Sequence, residues 1–426
     1  MKSLIDEILL DYGRTGLRLR LDHSIADWHV IGPKEEPPPV SFGDAFIRSV
    51  SHPIGTPDLR QLIQADDEVI IVTSDGTRPV PNRLLIPAII EYCRLHPSKT
   101  TILVGTGSHT PHTTEELENI LGSEIMAQCS VVCHNGCDDN SLHVIGVTPS
   151  GITTAINSRY IGARKKIIIG FIEPHLFAGF SGGPKGICPA ICGLDTIEAF
   201  HSYEIIGHPE SDYGKLENNP QQQMAREVAA LAPPDFMINV ILNSSKEITH
   251  IFSGHYIEAH RAGCIKAADT AMVPVDRKYP IVVATNSGYP LDQNLYQTVK
   301  GMAAAALIVE EGGTIYMASE CIRGLPAAGN FAEIMSSRAT PDSLLHMLSD
   351  KNFKVTDRWQ AQRLAMILKK ADVRIFASLA EEDVERCKLK KVDNLQAAIA
   401  IKVKQLSSRP SIAVMPHGPL TIPYTK

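Results

Sequence analysis

Residues 173–186 read E-P-H-L-F-A-G-F-S-G-G-P-K-G, and Phe200-His201 follows a short way on. Two imidazoles (His175, His201), a hydroxyl (Ser181), two glycines (Gly182, Gly183) and an amine (Lys185) thus fall within thirty residues. The apolar run 167–172 just before them reads as a buried strand. A strand running into Ser-Gly-Gly lets the backbone turn sharply and aim N–H groups at an anion. A lysine just beyond suits a phosphate or a covalent carbonyl adduct. The segment predicts a phosphorylated cofactor with histidine chemistry around it; the plainer alternative is a loop with a solvated histidine.

Other chemistry-bearing residues follow further apolar runs. Asp75-Gly76-Thr77-Arg78 precedes two stiffening prolines, Pro79 and Pro81. Arg78 reads as a guanidinium held for a carboxylate or phosphate, or as a surface partner of Asp75. In T-G-S-H-T-P-H, His109 suits a general base near neutral pH, or a helix-capping role, while His112 lies closer to the next helix and reads as solvated. Tyr296 and Lys300 are four apart with Gln297 beside them, so one helix face could hold a carboxylate or simply be wet. Trp359 is one of only two tryptophans, a core residue or a pocket wall.

The elements that position these groups alternate. Strand-like runs cover 68–74, 101–105, 166–172, 236–242, 281–285, 314–318, 373–378 and 411–415. Helical patterns cover 83–95, 114–121, 256–268, 293–309 and 359–368. Such alternation predicts an α/β protein with largely parallel sheets, its polar turns lying beyond the strand C-termini. A length of 426 residues predicts two α/β domains with the active site in the crevice between them. The boundary is expected between a helix ending near 268 and a fresh strand after V-P-V-D-R-K-Y-P. That gives residues 1–272 as a domain carrying the cofactor lysine and catalytic histidines, and 273–426 as a domain closing over substrate. The last strand could return to either sheet.

A net charge of −6 without a Lys/Arg cluster excludes a nucleic-acid footprint. No apolar stretch is long enough to span a membrane, and acids interrupt the first apolar run, so a cytoplasmic protein is expected. The nine cysteines are expected as thiols, and Cys129, Cys133, Cys137, Cys188 and Cys192 lack the paired spacing of a zinc site and read as small apolar filling.

Taken together, S-D-G-T-R-P-V-P (74–81), T-G-S-H (106–109), the 173–185 motif, G-Y-P-L-D-Q-N-L-Y-Q-T-V-K-G-M (288–302) and D-R-W-Q-A-Q (357–362) closely resemble the lactate racemase family. The resemblance covers about residues 50 to 370. It implies an isomerase, a racemase or epimerase inverting the hydroxyl-bearing carbon of a 2-hydroxy acid through a 2-keto acid. The implied cofactor is a nickel-pincer nucleotide, a pyridinium-3,5-bisthiocarboxylic acid mononucleotide carrying nickel. It accepts hydride reversibly, is attached covalently, and is absent where its maturation proteins are lacking. Those proteins and the small 2-hydroxy acid are the implied partners. Lys185 matches the lysine that holds the cofactor and His201 the nickel ligand, an imidazole completing a planar centre. His109 and His175 match the acid/base pair. Arg78, Gln297 and Lys300 match substrate-binding residues, and Tyr296 and Trp359 match pocket positions. Asp75 would orient a neighbour, and Ser181, Gly182 and Gly183 would meet the nucleotide phosphate.

The chain departs from the family pattern at Gly76 (histidine), Ser108 (a bulky aromatic), Thr110 (arginine) and Pro184 (arginine). Smaller side chains beside the site predict a substrate equal to or larger than lactate. Two other readings are weaker. An NAD-type 2-hydroxy acid dehydrogenase needs a G-x-G-x-x-G turn after an early strand, which the chain lacks. A non-catalytic nucleotide- or cofactor-binding protein needs Lys185 and His201 but has no use for paired His109 and His175.

Overall fold

The computed structural model describes residues 5–326 and 329–425. The chain divides into two compact units. One is Glu35–Ile205 with Pro209–Asp269; the other takes the chain up to Lys34, Ile206–His208 and the chain from Thr270 on.

The first unit is built on a six-stranded sheet in the order Ile248–Gly254, Phe236–Leu242, Lys165–Phe171, Val69–Ser74, Thr100–Gly105, Ser130–Cys133. All neighbours run parallel except the first pair. The central strands are apolar at consecutive positions because both faces are covered. Val69 and Ile71 enter one core with Ile86, Ile89 and Ile102, while Ile70 and Val72 enter another with Ile168, Ile191 and Val228. Such two-sided burial is what β-branched runs without polar alternation signal. Each fully buried side chain contributes about 1.5–3 kcal/mol. Cys93 and Cys129 pack in the first core and Cys188 and Cys192 in the second, all as thiols.

The second unit holds an all-parallel sheet in the order Lys390–Lys391, Asp372–Phe376, Val309–Ala318, Tyr279–Thr285, Ser411–Met415, Asp27–Val30. The helix Leu295–Ala306 packs on Tyr279–Thr285 and Val309–Ala318, and its Gly301 faces the Thr285 carbonyl so closely that a Cβ would collide with it.

One feature departs from the expected division at residue 272, and one open question is answered. The first 34 residues do not join the 35–269 unit. Asp27–Val30 pairs with Ser411–Met415, and the hairpin Ile5–Leu10/Leu17–Asp22 places Leu10, Leu19 and Leu21 in a core with Ile281, Tyr316 and Val414. Short strands at the start of a chain carry no signal of which sheet they extend. The strand Ser411–Met415, left open between two sheets, lies in the C-terminal one. No helix among the described residues is long and apolar enough to cross a membrane.

Candidate active site

Three adjacent parallel strands of the first unit, Lys165–Phe171, Val69–Ser74 and Thr100–Gly105, end at the same edge and deliver the site residues. Asp75 follows the middle strand, is 4 % exposed, and organises the turn after it. Its Oδ1 accepts from the Thr77 hydroxyl at 2.6 Å and the Thr77 N–H at 3.2 Å, and its Oδ2 lies 2.6 Å from His109 Nδ1. Burial opposes ionisation of Asp75 most strongly. Hydrogen bonds from His109 and Thr77, with the charge of Arg78, nevertheless hold its carboxyl down at about 2. A permanent carboxylate there requires a proton on His109 Nδ1, so neutral His109 keeps the lone pair on Nε2. The ring itself is exposed, at 45 % of its side-chain surface. A buried acid orienting an accessible imidazole is the arrangement of a general base.

Arg78 forms an ion pair with Glu173, and only its charge acts on the Asp75 carboxyl. Its guanidinium lies 3.4 Å from Glu173 Oε1, with both side chains largely buried. His112 is also not solvated as expected. Its Nε2 accepts the Gly76 N–H at 3.1 Å, its Nδ1 faces Glu116, and only 16 % of its side chain is exposed. It staples the Asp75 turn to the capped start of helix Thr114–Leu121. The space beside Gly76 is correspondingly taken: an added Cβ would meet Ile120 and His112 within 3.4 Å.

Beyond Lys165–Phe171 the chain forms a two-residue pairing, Pro174–His175 with Gly179–Phe180. His175 is 8 % exposed, and its Nδ1 accepts the backbone N–H groups of Phe177 and Ala178, each at 3.2 Å. Its Nε2 lies 3.4 Å from Lys185 Nζ. Burial, the largest influence, pushes the Lys185 amine down to about 7, and Arg78 pushes it further the same way. An amine lowered this far is a competent nucleophile at neutral pH. Lys185 Nζ sits 5.6 Å from the Phe200 ring centre, and His201 packs edge-on against the same ring at 4.9 Å. His201 ends the helix Leu194–Phe200 and donates Nδ1–H to the Ile197 carbonyl at 2.8 Å. Nε2 is then its lone-pair nitrogen, the form a metal ligand takes.

The glycine turn is built differently from the expectation. Gly182 and Gly183 have φ of +81° and +56°, where glycine is favoured. The Gly183 N–H donates to Asn239 Oδ1 at 2.7 Å, and a Cβ on Gly183 would collide with the ring of His260. Ser181 accepts the Glu173 N–H at 3.0 Å and donates to the Phe171 carbonyl. His260, which burial pushes down to about 4 and so keeps neutral, donates to the Ser181 carbonyl at 2.8 Å. These groups hold the turn's shape from within.

In the other unit, Tyr296, Gln297, Lys300 and Trp359 form one cluster. Trp359 is buried and donates its indole N–H to the Tyr296 hydroxyl at 2.9 Å; Lys300 Nζ lies 2.6 Å from Gln297 Oε1. Asn294 caps the helix by accepting the Gln297 N–H at 3.0 Å. Sequence reasoning missed Glu173, Asn239 and His260. Glu173 begins the quoted motif and carried that signal; Asn239 and His260 lie 56 and 79 residues from the groups they bind, with no local cue. Among the described residues no group of three or more His, Cys, Asp or Glu side chains could hold a metal ion. Any metal here would need donors beyond such a cluster.

Residues 12–214 match the lactate racemase N-terminal domain, and residues 275–422 match the lactate racemase C-terminal domain. The lactate racemase of Thermoanaerobacterium thermosaccharolyticum is 35 % identical over 386 residues, 89 % of this chain and 90 % of that protein. That of Lactiplantibacillus plantarum is 35 % identical over 378 residues, 87 % and 88 % of the two chains. The structure of the lactate racemase apoprotein from T. thermosaccharolyticum matches with a TM-score of 0.91 at 32 % identity, covering 98 % of this chain and all of that one. A Thermotoga maritima protein shares the fold at a TM-score of 0.66 and 16 % identity. With both domains matched and relatives aligned along most of its length, the chain belongs to the lactate racemase family of isomerases.

Proposed function

We propose that this protein interconverts the two hands of a 2-hydroxy acid, lactate or a larger homologue. The observation that carries this reading is the bond from His109 Nδ1 to buried Asp75, which leaves Nε2 as a base for a substrate hydroxyl. His175, with Nδ1 already accepting two N–H groups, offers Nε2–H instead. One imidazole thus begins as acceptor and the other as donor, the complementary pair that inversion at a carbinol carbon requires. Arg78 is assigned to the substrate carboxylate, and Gln297 and Lys300 to substrate binding. Tyr296 and Trp359 are assigned to its side chain.

The family implies a nickel-pincer nucleotide, and the residues present fit it. Lys185 would hold it through its uncharged amine, His201 would give Nε2 to the nickel, and the 181–183 turn would lie near its phosphate. When bound, the group supplies a reversible acceptor for the substrate's α-hydrogen. Ser181 and the Gly183 N–H are engaged inside the turn, so their contribution is to the turn's shape rather than to direct phosphate binding. Room for a larger substrate is assigned to the small side chain of Ser108, beside His109, and not to the Gly76 side, which Ile120 and His112 fill.

The test is to produce the chain alongside the cofactor maturation proteins and measure intact mass, nickel and loss of optical purity of chiral hydroxy acids. Added mass located at Lys185, with nickel, is expected, and Lys185→Ala loses both. His109→Ala keeps mass and nickel and loses turnover. Fully matured protein with neither added mass nor metal overturns the proposal.

A further inference from the structure

A peptide unit that donates to His175 is held on its far side by a buried amide. The Phe177–Ala178 peptide unit gives its N–H to His175 Nδ1, while its carbonyl accepts from Asn219 Nδ2 at 2.7 Å. The next carbonyl, of Ala178, accepts from Gln222 Nε2 at 2.7 Å, and the same Gln222 nitrogen reaches the Phe180 carbonyl at 2.8 Å. Asn219 and Gln222 are both 0 % exposed and stand at the start of helix Pro220–Leu231, where Asn219 Oδ1 also caps the Gln221 and Gln222 N–H groups. With the Phe177 carbonyl pinned by Asn219, the Ala178 N–H in the same planar unit is turned to the opposite side, toward His175, while Gln222 holds the peptide units that follow. A ring nitrogen accepting two N–H groups cannot itself carry a proton, so the ring proton lies on Nε2, facing Lys185 Nζ.

We propose that Asn219 is a positioning residue that, through the Phe177–Ala178 peptide unit, fixes His175 as its Nε2–H tautomer and so presents a hydrogen-bond donor to the Lys185 amine, keeping that amine a nucleophile. A donor pointed at the amine is compatible with its lone pair and repels an ammonium hydrogen. Burial and the Arg78 guanidinium act in the same direction. The network therefore acts before any substrate is present. It rests on the reading of Lys185 given above, but its central claim is a proton position in the chain alone.

That position is measurable by nitrogen NMR of the full-length apoprotein labelled at histidine, the His175 signals being identified by their loss in His175→Gln. The expected result is a protonated Nε2 and an unprotonated Nδ1 at neutral pH. A protonated Nδ1, in either the neutral or the doubly protonated ring, overturns the proposal without any variant having to fold. In Asn219→Asp, which keeps an oxygen to cap the helix and loses the donor to the Phe177 carbonyl, and which retains the wild-type circular dichroism, the His175 ring is expected to populate the other tautomer. Labelling of Lys185 at pH 6 by an aldehyde probe followed by borohydride, read by peptide mass, is expected to slow roughly tenfold there, the effect of a one-unit rise in the amine's pKa. Unchanged tautomer and labelling rate in that folded variant also overturn it. Absence of racemase activity alongside the expected tautomer would instead count against the function proposed above and leave this assignment standing.

Discussion

Asp75 shows how much one side chain can be asked to do. Replaced by Asn, it can no longer require a proton on His109 Nδ1, because the amide can offer either an oxygen or an N–H to that nitrogen. Asp75→Asn is expected to lower kcat by about 10²- to 10⁴-fold with far less change in KM, measured on matured protein with either hand of lactate. The same residue ties stability to pH. Its carboxyl lies at about 2 in the folded chain, below its ordinary value of 3.8. The unfolded chain therefore binds the proton first as pH falls. The stabilisation, about 2 kcal/mol, is fully present above pH 4 and lost as pH falls toward 2. Urea unfolding of wild type and Asp75→Asn at pH 7 and pH 3 should show the wild-type advantage shrinking at the lower pH; a constant difference would refute this. Asp75, His109, His175 and Lys185 were legible in the sequence because each follows an apolar run in a short polar turn. The groups that hold the neighbouring backbone were not. Asn219 meets the Phe177 carbonyl, Asn239 the Gly183 N–H and His260 the Ser181 carbonyl only through the fold, and an amide or imidazole in the sequence looks the same whether it meets water or a buried backbone group.

The elements were legible where burial is two-sided. Val69–Ser74 and Tyr279–Thr285 are apolar at nearly every position, which only a covered parallel strand explains. The hairpin Leu142–Val147/Thr153–Asn157 passed unread, since its mixed residues carry no clean period. Helix Leu295–Ala306 illustrates what an element must do for a site. Gly301 lets it approach Tyr279–Thr285 closely, and Asn286 Oδ1 accepts the Gly301 N–H at 3.0 Å. Gly301→Ala sets two effects against each other. Helix propensity favours alanine by about 1 kcal/mol. A methyl group forced against the Thr285 carbonyl costs about 1–3 kcal/mol, and a backbone carbonyl inside a sheet cannot move aside. The clash with a fixed carbonyl sits at the upper end of that cost, so overpacking wins and net destabilisation of up to about 2 kcal/mol is expected in urea unfolding. Because Gln297 and Lys300 ride on this helix, KM for lactate should rise as well. A variant as stable as wild type with unchanged KM would remove Gly301 from this account.

At the scale of the whole molecule, the early strands belong with the last ones. No periodicity could announce that, because Asp27–Val30 is four residues long and its partner Ser411–Met415 lies near the other end of the chain. The consequence is quantitative. Leu10, Leu19 and Leu21 are at most 5 % exposed in a core shared with Ile281, Tyr316, Ile412 and Val414. At about 1.5–3 kcal/mol each, these three side chains alone contribute about 5–9 kcal/mol. That is comparable with the total stability of an ordinary domain, about 5–15 kcal/mol. Removing residues 1–34 also strips Ser411–Met415 of its neighbour and leaves an unpaired edge. The truncated chain is therefore expected to lose the C-terminal sheet. Trp28 leaves with the deleted segment, so Trp359, 4 % exposed in the intact chain, becomes the sole tryptophan reporter. Its emission should shift to that of a solvated indole, while circular dichroism retains the contribution of the 35–269 unit, whose cores contain no residue from the deleted segment. Buried-indole emission and one cooperative transition in the truncated chain would show instead that Asp27–Val30 and its hairpin decorate a sheet that stands without them.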